Sequence, residues 1–294
     1  MEEIFNIDRL KANKKPIQGV IKTNDYSHVA YAMYTLKNIK ACMIFFHGSG
    51  AHRLAGYTIM AEQLCEYHKI ATCLIDIRGH GASGGRRGHT PSKEQLLEDI
   101  SSVLSFFKQK FKDVPIYLAG HSSGAGLVLN YANWKNRLLV NAYVFIAPEF
   151  GPKIPIKRTY LRNKQFSKLR LLPIIANKLT KGYLFGTCIA TTFTYSKTAI
   201  EKSGLIKSHT VNMYRAITPE NPIQALENLD RPSYIIISEK DELFDDKKLK
   251  NFLIPVLRKN SKLFFNVVNY GGHLSIFKDI SIDLGNFLLH NYEK

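Results

Sequence analysis

A serine hydroxyl is a weak nucleophile at neutral pH. It attacks a carbonyl only when a base within hydrogen-bond reach takes its proton and a carboxylate orients that base. Residues 120–124 read Gly-His-Ser-Ser-Gly and follow the apolar run Ile116-Tyr117-Leu118-Ala119. Glycines flanking a serine permit a sharp strand-to-helix turn that lifts one hydroxyl over the end of a sheet. Ser122 is therefore the candidate nucleophile. On such a sheet the acid and then the histidine follow the serine in the chain, each just past a strand. The run 234–238 leads into Glu239-Lys240-Asp241-Glu242, and the run 263–268 leads into Asn269-Tyr270-Gly271-Gly272-His273. His273 is the expected base and Asp241 the expected orienting acid, with Glu239 and Glu242 competing for that role. An oxyanion needs N–H donors as well. The N–H of Ser123, at a helix N-terminus, is one; Ser49 in His47-Gly48-Ser49-Gly50 supplies the other. Each feature alone is a weak signal, because an Asp after a strand is commonly a turn residue or helix cap. Their order along the chain, each at the end of an apolar run, carries the assignment. Such a set needs no metal or organic cofactor.

These residues must be held by strands that end along one edge. Apolar runs at 41–46, 70–75, 116–119 and 142–147 alternate with helix-like stretches around 54–68, 92–111 and 123–136. After residue 220 the rhythm returns as strand 233–238, helix 247–259, strand 263–268 and helix 274–291. Strands alternating with amphipathic helices imply βαβ units and a mostly parallel sheet. Alternation of apolar and polar residues within 16–36 predicts an antiparallel pair at the sheet's edge. The stretch 149–220 breaks the rhythm. Its portion 151–220 holds thirteen Lys and Arg against two acidic residues, a net +11. A structureless loop of that length is improbable in a compact domain, so an inserted helical subdomain is expected.

The 294 residues carry a net charge of +17 and a pI near 9.6. Such an excess favours anionic surfaces without choosing among nucleic acid, acidic lipid and acidic substrates. No nucleic-acid-binding motif accompanies the charge, so nucleic acid is not expected as a partner. Cys42, Cys65, Cys73 and Cys188 have no Cys-x-x-Cys spacing, which points to reduced thiols. The opening Met1-Glu2-Glu3-Ile4-Phe5 has no apolar signal core, and no run reaches the ~20 apolar residues of a membrane span. A cytoplasmic location is the expectation, with peripheral membrane contact allowed by the charge.

Together the motifs resemble the α/β-hydrolase superfamily, in its monoacylglycerol lipase and lysophospholipase group, which shares a profile with serine aminopeptidases of type S33. The resemblance rests on His47-Gly48-Ser49-Gly50, on Gly120-His121-Ser122-Ser123-Gly124, on Asp241 and Gly272-His273, and on Asp76-Ile77-Arg78-Gly79-His80-Gly81-Ala82-Ser83-Gly84. It implies a core of about eight strands from residues 1–148 and 221–294, with a cap at 149–220. It further implies Ser122, Asp241 and His273 as a triad with Ser49 and Ser123 as oxyanion donors. Asp76 and Arg78 are expected to brace the edge of the site. The cap is expected to select substrate. Leu171–Ala176 and Leu184-Phe185-Gly186 could enclose an acyl chain, while Lys157, Arg158, Arg162, Lys164, Lys168 and Arg170 could meet anionic headgroups. The activity implied is hydrolysis of carboxylic esters of single-chain acyl lipids. A peptidase or an acyltransferase would use the same triad. A non-catalytic lipid- or partner-binding protein would be expected to have lost a triad member, and none is missing. The substrate-binding residues and the oligomeric state are not legible.

Overall fold

The computed structural model describes residues 10–158 and 166–290. The N-terminal residues 1–5, and Arg162 and Lys164 of the basic stretch, lie outside the described residues. Among the described residues, eight strands form one sheet: β1 (Ile17–Lys22), β2 (His28–Tyr34), β3 (Ala41–Phe46), β4 (Ile70–Ile75), β5 (Ile116–His121), β6 (Ala142–Ile146), β10 (Ser233–Ser238) and β11 (Leu263–Val268). Their spatial order is β1-β2-β4-β3-β5-β6-β10-β11. β1 and β2 run antiparallel at one edge, and β4, β3, β5, β6, β10 and β11 are parallel to one another. Every expected strand of the sheet is present.

The continuous apolar runs are explained by burial on both faces. Successive side chains alternate between two cores. Ile44, Cys73, Leu118, Phe145 and Ile235 enter one, with α2 (Lys93–Lys110), α3 (Ser123–Ala132) and α8 (Asp246–Lys259). Met43, Leu74, Ala119, Val144 and Ile236 enter the other, with α1 (Thr58–His68) and α9 (Ser281–His290). Helix starts are fixed by side-chain caps: Ser92 Oγ accepts from Gln95 N–H at 3.0 Å, and Asp245 Oδ1 from Lys248 N–H at 3.0 Å.

The stretch between β6 and β10 differs from the helical expectation. It contains a second, antiparallel sheet in the order β7 (Ser167–Leu169), β8 (Ile189–Phe193), β9 (Ser208–Thr210), together with α4 (Leu171–Leu179), α5 (Lys197–Ser203) and α6 (Val211–Ile217). These strands are three to five residues long and pair only with each other, so they leave no long apolar run in the sequence. Met213, Ala216 and Ile217 of α6 join the same buried cluster as α2 and α3. The next helix, α7 (Pro222–Glu227), leads into β10.

The register sets the site. Phe46 pairs with Gly120, His121 with Ile146, and Ile146 with Ile236. The carboxyl ends of β3, β5, β6, β10 and β11 therefore line up along one edge. β4 and β5 lie on opposite sides of β3, so the chain reverses direction there, which is where open α/β sheets form their crevice.

Candidate active site

Ser122 sits between β5 and α3 with φ 53° and ψ −118°. A side chain at positive φ is strained by about 1–3 kcal/mol and needs surrounding structure to hold it. The backbone supplies that hold. Ser122 N–H donates to Ile146 O at 3.0 Å, and Ser122 O accepts from Ala125 N–H at 3.1 Å and Glu149 N–H at 3.0 Å. The flanking glycines answer to close packing. A Cβ at Gly124 would lie 2.5 Å from both the Phe46 and His47 carbonyl oxygens, and one at Gly120 would lie 2.3 Å from Gly124 O. Only without these side chains can α3 begin against the end of β3.

Of the three acidic candidates after β10, Asp241 faces the histidine. Its Oδ2 lies 2.8 Å from His273 Nδ1, and its Oδ1 accepts the N–H groups of Leu243 and Phe244, each at 2.8 Å. Both side chains are almost wholly buried, Asp241 at 1% and His273 at 2% exposure. Burial on its own lowers the His273 pKa. The Asp241 charge and hydrogen bond, then the charges of Glu242 and Glu149, outweigh it, so the net shift is upward. Glu242 does other work: its carboxylate accepts the His273 backbone N–H at 2.6 Å. The Glu239 backbone carbonyl accepts from Arg158.

Arg158 belongs to this loop and not to a membrane-facing stripe. Its Nε donates to Asp241 O at 2.6 Å and Phe244 O at 3.1 Å, and its Nη2 to Glu239 O at 2.6 Å. Asp76 and Arg78 both brace the edge, through different partners. Asp76 pairs with the buried Arg53 and accepts the N–H groups of Arg53 and Ala82. Arg78 makes a bidentate contact with Asp99 at 2.7 and 2.6 Å and a further one with Asp25 at 2.9 Å.

Two side chains that sequence reasoning passed over tie the loops together. Gly48 N–H donates to Tyr57 Oη at 3.1 Å, and Tyr57 Oη is 3.1 Å from His121 Nδ1. His121 Nε2 is 3.1 Å from the His273 carbonyl. A carbonyl only accepts, so His121 carries its proton on Nε2 and takes the Tyr57 proton at Nδ1. Burial, reinforced by His273, pushes the His121 pKa well below the usual value and keeps the ring neutral. His47 is a second strut: Ile77 N–H donates to its Nε2 at 3.1 Å, and its Nδ1 bonds Gly48 O at 2.9 Å. Burial lowers its pKa to about 3.

Ser122, His273 and Ser49 line one cavity of about 410 Å³, counted with the solvent at its mouth. Its apolar walls come from Ala55, Leu243 and Leu274 of the main body and from Phe166, Tyr195 and Leu205 of the 149–220 stretch. Tyr195 Oη also donates to Ser49 O at 2.9 Å, and Ile206 N–H to Gly50 O at 2.9 Å, so this stretch fixes the Ser49 loop from above. The residues expected to enclose an acyl chain point elsewhere: Leu171, Leu172, Ile175, Leu184 and Phe185 are exposed. Ser49 and Ser123 both line a neighbouring, more polar cavity. The four cysteines are free thiols, only Cys188 being exposed. Among the described residues no cluster of metal-ligating side chains is present, and no helix is long and apolar enough to cross a membrane.

The profile of the family described as serine aminopeptidase, S33, matches residues 37–265 of this chain. The chain belongs to that family. It is an α/β hydrolase in fold: a monoglyceride lipase from Saccharomyces cerevisiae, solved as a soluble variant with a substrate analogue, superposes with a TM-score of 0.66. That match is at 18% identity and covers 94% of this chain and 96% of that one. An uncharacterised abhydrolase domain-containing protein of Dictyostelium discoideum is 40% identical over 91 residues, 31% of this chain and 9% of that protein. A monoacylglycerol lipase of Mycolicibacterium smegmatis is 31% identical over 80 residues, 24% of this chain and 29% of that protein. The chain thus spans less than a third of the length of these two relatives.

Proposed function

We propose that the chain is a serine hydrolase that cleaves carboxylic esters of single-chain acyl lipids, monoacylglycerols or lysophospholipids, through an acyl-enzyme. The observation that carries this reading is the buried Asp241–His273 pair opening on the apolar cavity that also holds Ser122. The kinship with a monoacylglycerol lipase supports the substrate class. In this mechanism His273 Nε2 takes the Ser122 proton as Oγ bonds to the acyl carbon. The oxyanion that forms is held by the N–H groups of Ser49 and Ser123. His273 then protonates the departing alcohol as the carbon–oxygen ester bond breaks. Water, deprotonated by His273, attacks the acyl-enzyme, and Ser122 regains its proton. Asp241 holds His273 with its proton on Nδ1, leaving Nε2 as the base. No cofactor enters these steps.

Residues 149–220 act as the cap. Leu171, Leu172 and Leu179, beside exposed Lys168 and Arg170, offer an apolar, cationic surface to an anionic bilayer. Binding to anionic vesicles should weaken as salt rises; equal binding to neutral vesicles would remove the idea. The decisive assay for the reaction is Ser122→Ala on a short-chain chromogenic ester. Hydrolysis should be abolished in a folded protein, and retained turnover would sink the assignment. A peptidase is the second reading. It is favoured by Glu149, an acid beside the nucleophile that could take a free amine. Rates on aminoacyl amides against acyl esters separate the two.

A further inference from the structure

We propose that Glu149 and Lys157 form a headgroup subsite for a leaving group that carries both an ammonium and an anionic group, an inference that rests on the ester-hydrolase reading. The second cavity, about 530 Å³, shares Ser49 and Phe166 with the apolar one and also meets Ser123. An ester whose carbonyl lies at Ser49 and Ser123 would therefore have an apolar room on one side and a polar room on the other. The apolar lining of the first suits the acyl chain, which leaves the second for the alcohol.

The side chains facing that second room include two that are charged, Glu149 and Lys157. Lys157 Nζ lies 3.4 Å from Glu149 Oε1. Each is the other's only ion-pair partner among the described residues. The Glu149 backbone N–H is bonded to Ser122 O, so the acid stands at the elbow itself. Lys157 is the outer member, its side chain 62% exposed against 28% for Glu149. An open pair of this kind contributes little to stability, about 0–1 kcal/mol. The rest of the lining adds hydrogen-bonding groups without competing charge. Thr191, Tyr214 and Thr218 bring hydroxyls, and His209 is kept neutral by burial and bonded to His80 at 3.0 Å.

A zwitterion can lie antiparallel to this pair, so that each of its charges meets the opposite one and no net charge is added to the cavity. A purely anionic headgroup would face Glu149 unpaired, and a purely cationic one would face Lys157. Neutral glycerol would leave the pair as it is. The expected order of substrates is zwitterionic, then neutral, then singly charged.

The test compares kcat/KM on four esters of one acyl chain in neutral-detergent micelles: lysophosphatidylethanolamine, monoacylglycerol, lysophosphatidic acid and acylcholine. Wild type, Glu149→Gln and Lys157→Gln are each assayed, with circular dichroism to check folding. The wild type should prefer lysophosphatidylethanolamine, and either variant should lower its ratio to monoacylglycerol about tenfold, as expected for loss of a charged hydrogen bond. Removing the Glu149 charge also acts on His273, but that factor is common to every ester and cancels in the ratio. A wild-type preference for monoacylglycerol, or ratios that move less than about twofold in both variants, overturns the subsite while leaving the ester reading intact. Failure of the wild type to hydrolyse any of the four overturns the ester reading and the subsite with it.

Discussion

Removing one hydroxyl, in Tyr57→Phe, should separate the positioning of the site from its chemistry. Tyr57 is 1% exposed, and its hydroxyl bonds Gly48 N–H and His121, neither of them a proposed triad member. Its ring packs on Phe45 and Phe277, each with centroids 4.9 Å away, and Phe keeps both contacts. The change instead orphans the Gly48 N–H and His121 Nδ1, each 3.1 Å from the hydroxyl. A buried polar group left without its partner costs about 1–3 kcal/mol, so the two together cost roughly 2–6 kcal/mol. At about 2 °C per kcal/mol for a chain of this size, the melting temperature should fall by roughly 4–12 °C. Gly48 is joined to Ser49, so the oxyanion loop loosens on the same event. A displacement of about 1 Å at a catalytic group can cost 100-fold, and kcat should fall at least tenfold with KM little changed. Calorimetry and ester turnover measured on one preparation are the assay. A melting temperature within about 1 °C of wild type together with kcat within about twofold would refute the reasoning, since neither orphaned group would then matter.

Further expectations concern the two kinds of histidine and the packing at the elbow. The His273 pKa is raised above 6.5, so kcat/KM should fall on acidification with a midpoint above that value. Asp241→Asn removes the main upward influence and should move the midpoint down, with kcat about 10⁴-fold lower; an unmoved midpoint in a pH–rate profile would break the assignment. His47, His80, His121 and His209 are shifted the other way, chiefly by burial. Below pH 6.5 the unfolded chain takes up protons that the folded one refuses. Stability present at pH 7 should therefore be lost on acidification by up to about 1.4 kcal/mol per pH unit for each ring, measurable by urea titration at pH 7 and 5.5. Gly124→Ala places a Cβ 2.5 Å from two backbone oxygens, so α3 must move away from β3. A loss of about 1–3 kcal/mol in denaturant melts is expected, with a larger proportional loss of turnover.

The strands of the main sheet were legible because burial on both faces makes them unbroken apolar runs, as in Ala41–Phe46 and Ile70–Ile75, each buried at all six positions. The acid and histidine were legible as turn residues following such runs. β7, β8 and β9 were not, because a polar segment such as Ser167–Leu169, half exposed, has no core face to impose a period. The bond between Tyr57 and His121 stays hidden because it spans 64 positions, and His121 stands in the elbow motif with no partner near it in sequence. Charge counting places Arg158 and Lys157 in one basic run, whereas each is defined by a partner: Arg158 by the Asp241 and Glu239 carbonyls, Lys157 by Glu149. The bracing role of Asp76 and Arg78 is legible in their loop motif, but their partners Arg53, Asp25 and Asp99 lie 21–53 positions away.

Whether Ser122 is the nucleophile is decided by covalent capture. The native protein is treated with a fluorophosphonate, digested, and the adduct located by mass spectrometry. One phosphonyl group per chain is expected, on Ser122, with ester hydrolysis lost in step with labelling and no label on Asp241→Asn at the same exposure. An adduct on another serine, or full hydrolytic activity in protein whose Ser122 is labelled, would contradict it.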